Sequence, residues 1–239
     1  MISDLAIGGS HQGGRASGAT AARWRIVCLL TLGAFLGLGL AAFATGILPG
    51  DLSVRGELFP GDGSPLRTVA GWINLGGTWR VLLPGSLLLF ALSRAARRQW
   101  WLWAGVLLAS SVVEHGVKLL VGRPRPSGSS LGFPSGHTTA AATFAVIVIY
   151  LATRERLRPG PRLIIQSAAA LMMVLVGWAR LVLHAHWPTD VLGGLLLGAG
   201  SAAAAAWWEA AREAKPDRLG REEAQPHIQS PSRSTEMIP

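Results

Sequence analysis

Cysteine is nearly absent from this chain: Cys28 is the only one in 239 residues. A lone thiol excludes an internal disulfide framework and any structural zinc site built from several thiolates, so packing must hold the fold. Charge is scarce as well. Only 15% of the residues are Asp, Glu, Lys or Arg and 50% are apolar, a balance too greasy for an ordinary soluble domain and too apolar for a wholly disordered chain or a collagen-like fibre. No repeat of solenoid period is present, and the connections between apolar runs are too short to hold a second domain. What charge there is sums to +9. Nucleic-acid binding would need those cations gathered on one face or stripe, whereas here they sit between apolar runs; no nucleic-acid partner is expected.

The apolar runs have the length of membrane spans. A bilayer core about 30 Å thick takes roughly 20 helical residues, and six stretches approach that length: Ile26 to Leu48, Thr78 to Ala96, Trp100 to Val121, Pro134 to Thr153, Leu163 to Leu183 and Val191 to Trp208. The fold class expected is therefore all-α, an integral membrane bundle of six transmembrane helices. The second span is the least regular, because Arg80 must snorkel to the head groups. Ala42-Phe43-Ala44 resembles a signal-peptide cleavage site, but its apolar stretch is long for such a peptide, and an uncleaved first helix is expected. Residues 1–22 and 210–239 are polar or charged and read as flexible tails on a membrane domain of residues 23–209.

Orientation follows from the positive charge, which favours cytoplasmic loops. With the N-terminus inside, fifteen of the 22 Lys and Arg fall on the inner side and seven on the outer side, so both termini are expected in the cytoplasm, across a bacterial inner membrane. Four of the seven outer cations, Lys118, Arg123, Arg125 and Arg180, cluster at the outer ends of the third and fifth spans or in the loop after the third. Ionisable groups at membrane depth are costly and usually face a cavity or a partner, and here the partner would be an anion. The loop after the third span leads into Phe133-Pro134-Ser135-Gly136-His137. Ser135 is a capping residue type and Gly136 lets backbone approach a ligand, so a helix N-terminus beside cations makes a phosphate site. At the end of the fifth span, Asp190 follows His186 by four residues. A carboxylate on one imidazole nitrogen fixes the tautomer and leaves the other nitrogen free to attack. His184 is less well placed and reads as a supporting or packing residue.

Together these stretches resemble the three signature motifs of the type 2 phosphatidic acid phosphatase superfamily: Lys118, six residues, then Arg125-Pro126; Pro134-Ser135-Gly136-His137; and Arg180, five residues, His186, three residues, Asp190. One departure is Ala179, where the family usually has Ser before the arginine. The resemblance implies a metal-independent phosphatase, without cofactor, working through a phosphohistidine. His186 would be the nucleophile, Asp190 its orienting carboxylate and His137 the acid and then the base. Lys118, Arg125, Ser135, Gly136 and Arg180 would hold the phosphate, with Arg123 as an auxiliary contact to phosphate or head group. Glu114 reads as a helix-face salt bridge to Lys118.

A site at the outer interface suits an amphiphile whose phosphate is presented while its chains stay in the bilayer. A lipid phosphate or diphosphate is the expected substrate, undecaprenyl diphosphate first, with phosphatidate, phosphatidylglycerol phosphate and the lipid A 1-phosphate as alternatives. An anion-binding or transport protein would also collect cations at one depth, but it would not need His137 and the His186/Asp190 pair. The tryptophans Trp100, Trp101 and Trp103, with Trp207 and Trp208, read as an interfacial belt. Trp187 reads equally as packing or as part of the acyl entrance, and Asp51 to Leu66 as an ordinary connecting loop. The sequence assigns no oligomeric state.

Overall fold

The computed structural model describes residues 7–57, 64–128 and 131–214. Among these residues all regular structure is helical. In chain order the helices are α1 (Ile7–Thr45), α2 (Pro49–Glu57), α3 (Pro65–Asn74), α4 (Trp79–Leu92), α5 (Arg94–Arg98), α6 (Trp100–Val121), α7 (Gly136–Arg154), α8 (Pro159–Val182) and α9 (Pro188–Ala214). Five of them are long and apolar enough to cross a membrane, and six spans result if α3 and α4 count as one bent span. Described residues before position 23 belong to α1, although five glycines in that run make helix there costly. Helix α9 likewise runs five residues past position 209.

The second span, expected from Thr78 to Ala96, is α4, which ends at Leu92 and is preceded by α3. Helices α3 and α4 meet at 47° across a short 3₁₀ turn, Leu75–Gly77. Two successive glycines weaken helix continuation there. The Thr78 hydroxyl then closes the turn by donating to the Leu75 carbonyl at 2.6 Å. Arg80 is exposed at the start of α4, in keeping with a snorkelling role.

Helix α7 is the centre of the bundle. Its buried residues run along its whole length, from Thr138 to Ala152, and it packs on α9, α8 and α6. Helix α9 in turn lies along α1, and small residues permit both contacts. A Cβ added at Gly194 would sit 2.6 Å from the Ser135 carbonyl oxygen and 2.9 Å from Thr138 Cβ; one at Gly200 would meet Leu32 Cγ at 2.7 Å. Outward-facing side chains are apolar, among them Leu30, Leu40, Leu92, Val112, Leu120 and Ile164, as a lipid-facing surface requires.

The two ends of the bundle differ. One gathers the C-terminal ends of α1, α6 and α8, the N-terminal ends of α7 and α9, and α2. The other holds the basic helix α5, an ion pair between Arg154 and Glu213, and Glu155, whose carboxylate accepts from Ser93 Oγ at 2.6 Å and Ala95 N at 3.0 Å. Those bonds hold the Glu155 carboxyl below its ordinary range. A cavity of about 990 Å³ opens at this second end, between α4, α7, α8 and α9. The aromatic belt is also only partly as expected. Trp100 and Trp101 are exposed, but Trp103 is fully buried and packs against Tyr150 at 5.5 Å between ring centroids. Trp103 lies two residues, about 200° of helical turn, from the exposed Trp101, which puts the two on opposite faces of α6.

Candidate active site

The site forms where the ends of four helices and two connecting segments meet, and each segment has a local reason for its path. Helix α6 stops at Gly122, which takes φ +60° as the left-handed cap residue. The chain then runs back along the bundle as Arg123-Pro124-Arg125-Pro126. It is held by Gly132 N donating to the Arg123 carbonyl at 2.6 Å and by Trp187 Nε1 donating to the Pro124 carbonyl at 2.9 Å. Trp187 is thus a packing residue, 3% exposed. The Pro134-Ser135 turn is tied to α9 by Ser135 N donating to the Asp190 carbonyl at 2.9 Å. That backbone bond joins the second motif to the third.

Ser135 occupies the N-cap position of α7 but does not cap it with its side chain. Its hydroxyl instead accepts from Thr138 Oγ1 at 2.9 Å. The first N–H groups of α7 therefore receive no side-chain acceptor from Ser135, the condition under which a helix start attracts an anion. Lys118 lies against this terminus, since a Cβ added at Gly136 would be 3.3 Å from its Nζ and 2.7 Å from Glu114 Oε1. Lys118 and Glu114 form an ion pair at i,i+4, as the sequence suggested, but it is buried within the site rather than spread on a solvated helix face.

Asp190 is the third residue of α9 after the cap position Trp187, and its Oδ2 accepts from Trp187 N at 3.0 Å. This is the back-reaching half of a capping box. The same oxygen lies 3.3 Å from His186 Nδ1. Asp190 is fully buried and His186 is 3% exposed. Burial pushes the His186 imidazole down to about 4; the bond to Asp190 opposes this, and the positive charges of Arg180 and Arg125 add to it. That shift favours the neutral imidazole at pH 7, with Nδ1 facing Asp190. His184 adopts φ +55° in the turn that closes α8, and Asp190 is paired with His186.

Arg180, buried at 9% exposure, donates from Nη1 to Asn74 Oδ1 at 2.8 Å, while its Nε has no protein partner. Asn74 ends α3, so the bent second span supplies a residue that fixes this guanidinium. The 3₁₀ turn beside it presses on His137, because a Cβ on Gly77 would lie 2.8 Å from His137 Cβ. His137 is in electrostatic reach of Arg180, His186, Lys118 and Arg125. All the residues singled out from the three motifs are thus at one end of the bundle. Ala179 is fully buried in an apolar cluster with Ala70 and Val182, where it contributes packing to the α3–α8 contact.

Arg123 is the exception to the expected roles. It is 2% exposed and spends its donors inside the protein: Nη1 reaches Asp190 Oδ1 at 2.9 Å and Thr189 Oγ1 at 2.6 Å, and Nη2 pairs with Asp51 Oδ2. An arginine bonded in this way is not a head-group contact. Asp51, in α2, is fully buried, so the segment read as an ordinary loop begins with a helical residue paired with Arg123. Sequence reasoning also passed over Asn74 and Thr189. Their partners lie 106 and 138 residues away in the chain, which leaves no local spacing to detect.

Comparison with known proteins bears directly on this arrangement. Residues 127–214 match the family model described as PAP2 superfamily, a stretch that includes the second and third motifs. Over those residues the chain resembles the PAP2 superfamily. The chain is 32% identical over 108 residues to phosphatidylglycerophosphatase B of Bacillus subtilis, a match covering 40% of this chain and 53% of that protein. The chain thus spans about half the length of that relative. It is 28% identical over 202 residues to lipid A 1-phosphatase of Rhizobium johnstonii, covering 74% and 77% of the two chains. The fold is similar to the crystal structure of a transmembrane PAP2-type phosphatidylglycerolphosphate phosphatase from Bacillus subtilis. That likeness has a TM-score of 0.64 at 23% identity over 84% of this chain and 98% of the other.

Proposed function

We propose that the chain is a membrane phosphatase that removes phosphate from a lipid phosphate or diphosphate through a phosphohistidine. The observation that carries this reading is the buried His186–Asp190 pair opposite His137, with Lys118, Arg125 and Arg180 around them. Neutral His186 attacks phosphorus with its Nε2 lone pair as the bond to the leaving oxygen breaks. Asp190 orients the ring and stabilises the positive charge that develops on it. His137 gives a proton to the leaving oxygen, then takes one from the water that hydrolyses the phosphohistidine. The bound phosphate, being anionic, favours the charged form of His137 that the first step needs.

Charge on the transferring phosphoryl group spreads over its equatorial oxygens, so fixed cations and N–H donors are the main resource. The unpartnered Nε of Arg180 and the uncapped start of α7 are suited to that task. Lys118 reaches the same terminus and exchanges its Glu114 partner for phosphate when substrate enters. These cations supply the charge stabilisation that a metal provides in other phosphatases, and turnover is expected to survive a chelator.

The site end is surrounded by lipid-facing helices, so an amphiphile delivers its phosphate from within the bilayer. The names of the two relatives, each a phosphatase of a membrane lipid, are in keeping with this. Undecaprenyl diphosphate is the first substrate proposed, followed by phosphatidylglycerol phosphate, phosphatidate and lipid A 1-phosphate. The active site is proposed to face away from the cytoplasm, in a bacterial inner membrane with both termini inside.

The test is phosphate release by purified protein from a panel of those four lipids, with and without EDTA, beside His186→Ala. Release from at least one lipid, unaffected by EDTA and reduced on the order of 10⁴-fold or more in the variant, is expected. Hydrolysis by His186→Ala at the wild-type rate would remove the nucleophile assignment.

A further inference from the structure

We infer that Asp51, Arg123 and Thr189 form a buried positioning relay that fixes the Asp190 carboxylate and sets the charge balance beneath His186. The inference rests on the phosphohistidine reading above and adds residues that lie outside its three motifs.

Both oxygens of Asp190 are committed. Oδ1 accepts from Arg123 Nη1 at 2.9 Å; Oδ2 accepts from Trp187 N at 3.0 Å and faces His186 Nδ1 at 3.3 Å. With Oδ1 held, the carboxylate cannot rotate, and Oδ2 stays on the imidazole. Arg123 is itself held by Asp51, through Nη2, and by the Thr189 hydroxyl, which accepts from Nη1 and donates to Asp51. Asp51 is anchored by two backbone donors, Leu48 N at 3.1 Å and Thr189 N at 3.0 Å. The relay thus binds the end of α1 and the start of α2 to the start of α9, the element that carries Asp190. The Trp187 ring flanks the guanidinium at 5.9 Å.

The charges of the relay match the chemistry. Two buried carboxylates and one guanidinium leave a net single negative charge under His186. When the imidazole is phosphorylated on Nε2 it becomes cationic, and the cluster of four groups is then neutral. An arginine paired with Asp190 alone would cancel the counter-charge that the intermediate needs. Asp51 restores it. An arginine is suited to this place because its planar fork reaches both carboxylates at once, which a lysine ammonium cannot do with the same geometry.

The experiment compares Asp51→Asn, Arg123→Lys and Thr189→Val with the wild type on whichever lipid the wild type hydrolyses, with thermal melting and active-site titration on every sample. Thr189→Val keeps the side-chain volume and loses only the hydroxyl, so it tests the relay even where a charge change prevents folding. Per folded active site, Asp51→Asn and Arg123→Lys are expected to lose on the order of 10²-fold in kcat, and Thr189→Val about tenfold, with KM within about threefold.

A pH profile supplies a reading that packing alone would not move. The groups facing His186 are Asp190 from α9, Arg180 from α8, His137 from α7 and Arg125 from the loop after α6, with Arg123 of that loop and Asp51 of α2 behind Asp190. Removing the Asp51 charge disfavours the imidazolium, so the acid limb of kcat/KM moves to lower pH in Asp51→Asn. A wild-type kcat per folded site in Thr189→Val, or an unmoved acid limb in a folded Asp51→Asn, would overturn the relay. Absence of hydrolysis by the wild type, or full activity of His186→Ala, would instead overturn the phosphatase reading beneath it.

Discussion

Burial keeps the His186 imidazole neutral at neutral pH, the form that the proposed nucleophile needs, because the ring gives up its proton readily once water is removed from around it. Its folded value of about 4 lies below the ordinary 6.5, so the neutral form persists until the pH falls through about 4. The expected acid limb of kcat/KM comes from His186, and the expected alkaline limb of kcat comes from loss of the His137 proton in the substrate complex, where the bound phosphate favours the charged form. Phosphate release measured from pH 3.5 to 10 checks this. An acid limb centred near pH 6.5 would mean that His186 is not held as the buried pair requires. The same shift carries a stability consequence. Between about 6.5 and 4 the unfolded chain binds a proton on this residue that the folded chain does not, so its stabilising contribution is complete above pH 6.5 and is lost as pH falls toward 4. The relay residues behave differently. Their charges are paired, and breaking a buried pair from one side costs about 3–5 kcal/mol, which is why Arg123→Lys and Asp51→Asn suit the test better than alanine.

At the level of elements, the contact between α7 and α9 sets the geometry. Ser135 N donates to the Asp190 carbonyl, and Gly194 lets the two helices close behind that bond. Gly194→Ala is expected to cost about 1–3 kcal/mol through overpacking, to lower the melting temperature and to reduce kcat, because the added methyl separates Ser135 from Asp190. Gly105→Ala, where a Cβ meets nothing within 4 Å, is the matched control, expected to be neutral or to raise the melting temperature slightly. Equal effects of the two substitutions on melting would show that the α7–α9 contact is not tight. The same scale shows what the span reading left out: the helix expected from Thr78 is present as α4, but α3 precedes it across the Gly76–Gly77 turn, and the bend brings Asn74 to Arg180 and the 3₁₀ turn against His137.

For the whole molecule, the two ends of the bundle should be distinguishable by access. Ser127, in the loop after α6, and Arg158, before α8, are both exposed and lie at opposite ends. Cys28 is buried, so background labelling of an unmodified chain is low. In intact cells, a membrane-impermeant thiol reagent is expected to label Ser127→Cys and to label Arg158→Cys only after the membrane is opened. The reverse pattern would place the site on the cytoplasmic side and exclude a substrate presented in the outer leaflet.

Much of this architecture was legible before any coordinates. Helical membrane spans follow from apolar length alone, because a backbone in lipid must satisfy its own hydrogen bonds. The motif residues were legible because their chemistry is local: His186 and Asp190 are four residues apart, and Ser135, Gly136 and His137 are consecutive. The roles of Asp51, Asn74 and Arg123 were not, since each is defined by a partner on another helix. Arg123 is the plainest case. Beside Arg125 in an Arg-Pro-Arg-Pro run it reads as a second phosphate ligand, and nothing in its own segment reveals two carboxylates waiting 67 and 72 residues away. By itself, the sequence determined the spans and the residues able to do phosphoryl chemistry, because hydrophobic length and side-chain type are properties of a segment. Only the tertiary structure decided which arginine is free for an anion and which is spent on the protein, because that depends on which charges are buried together.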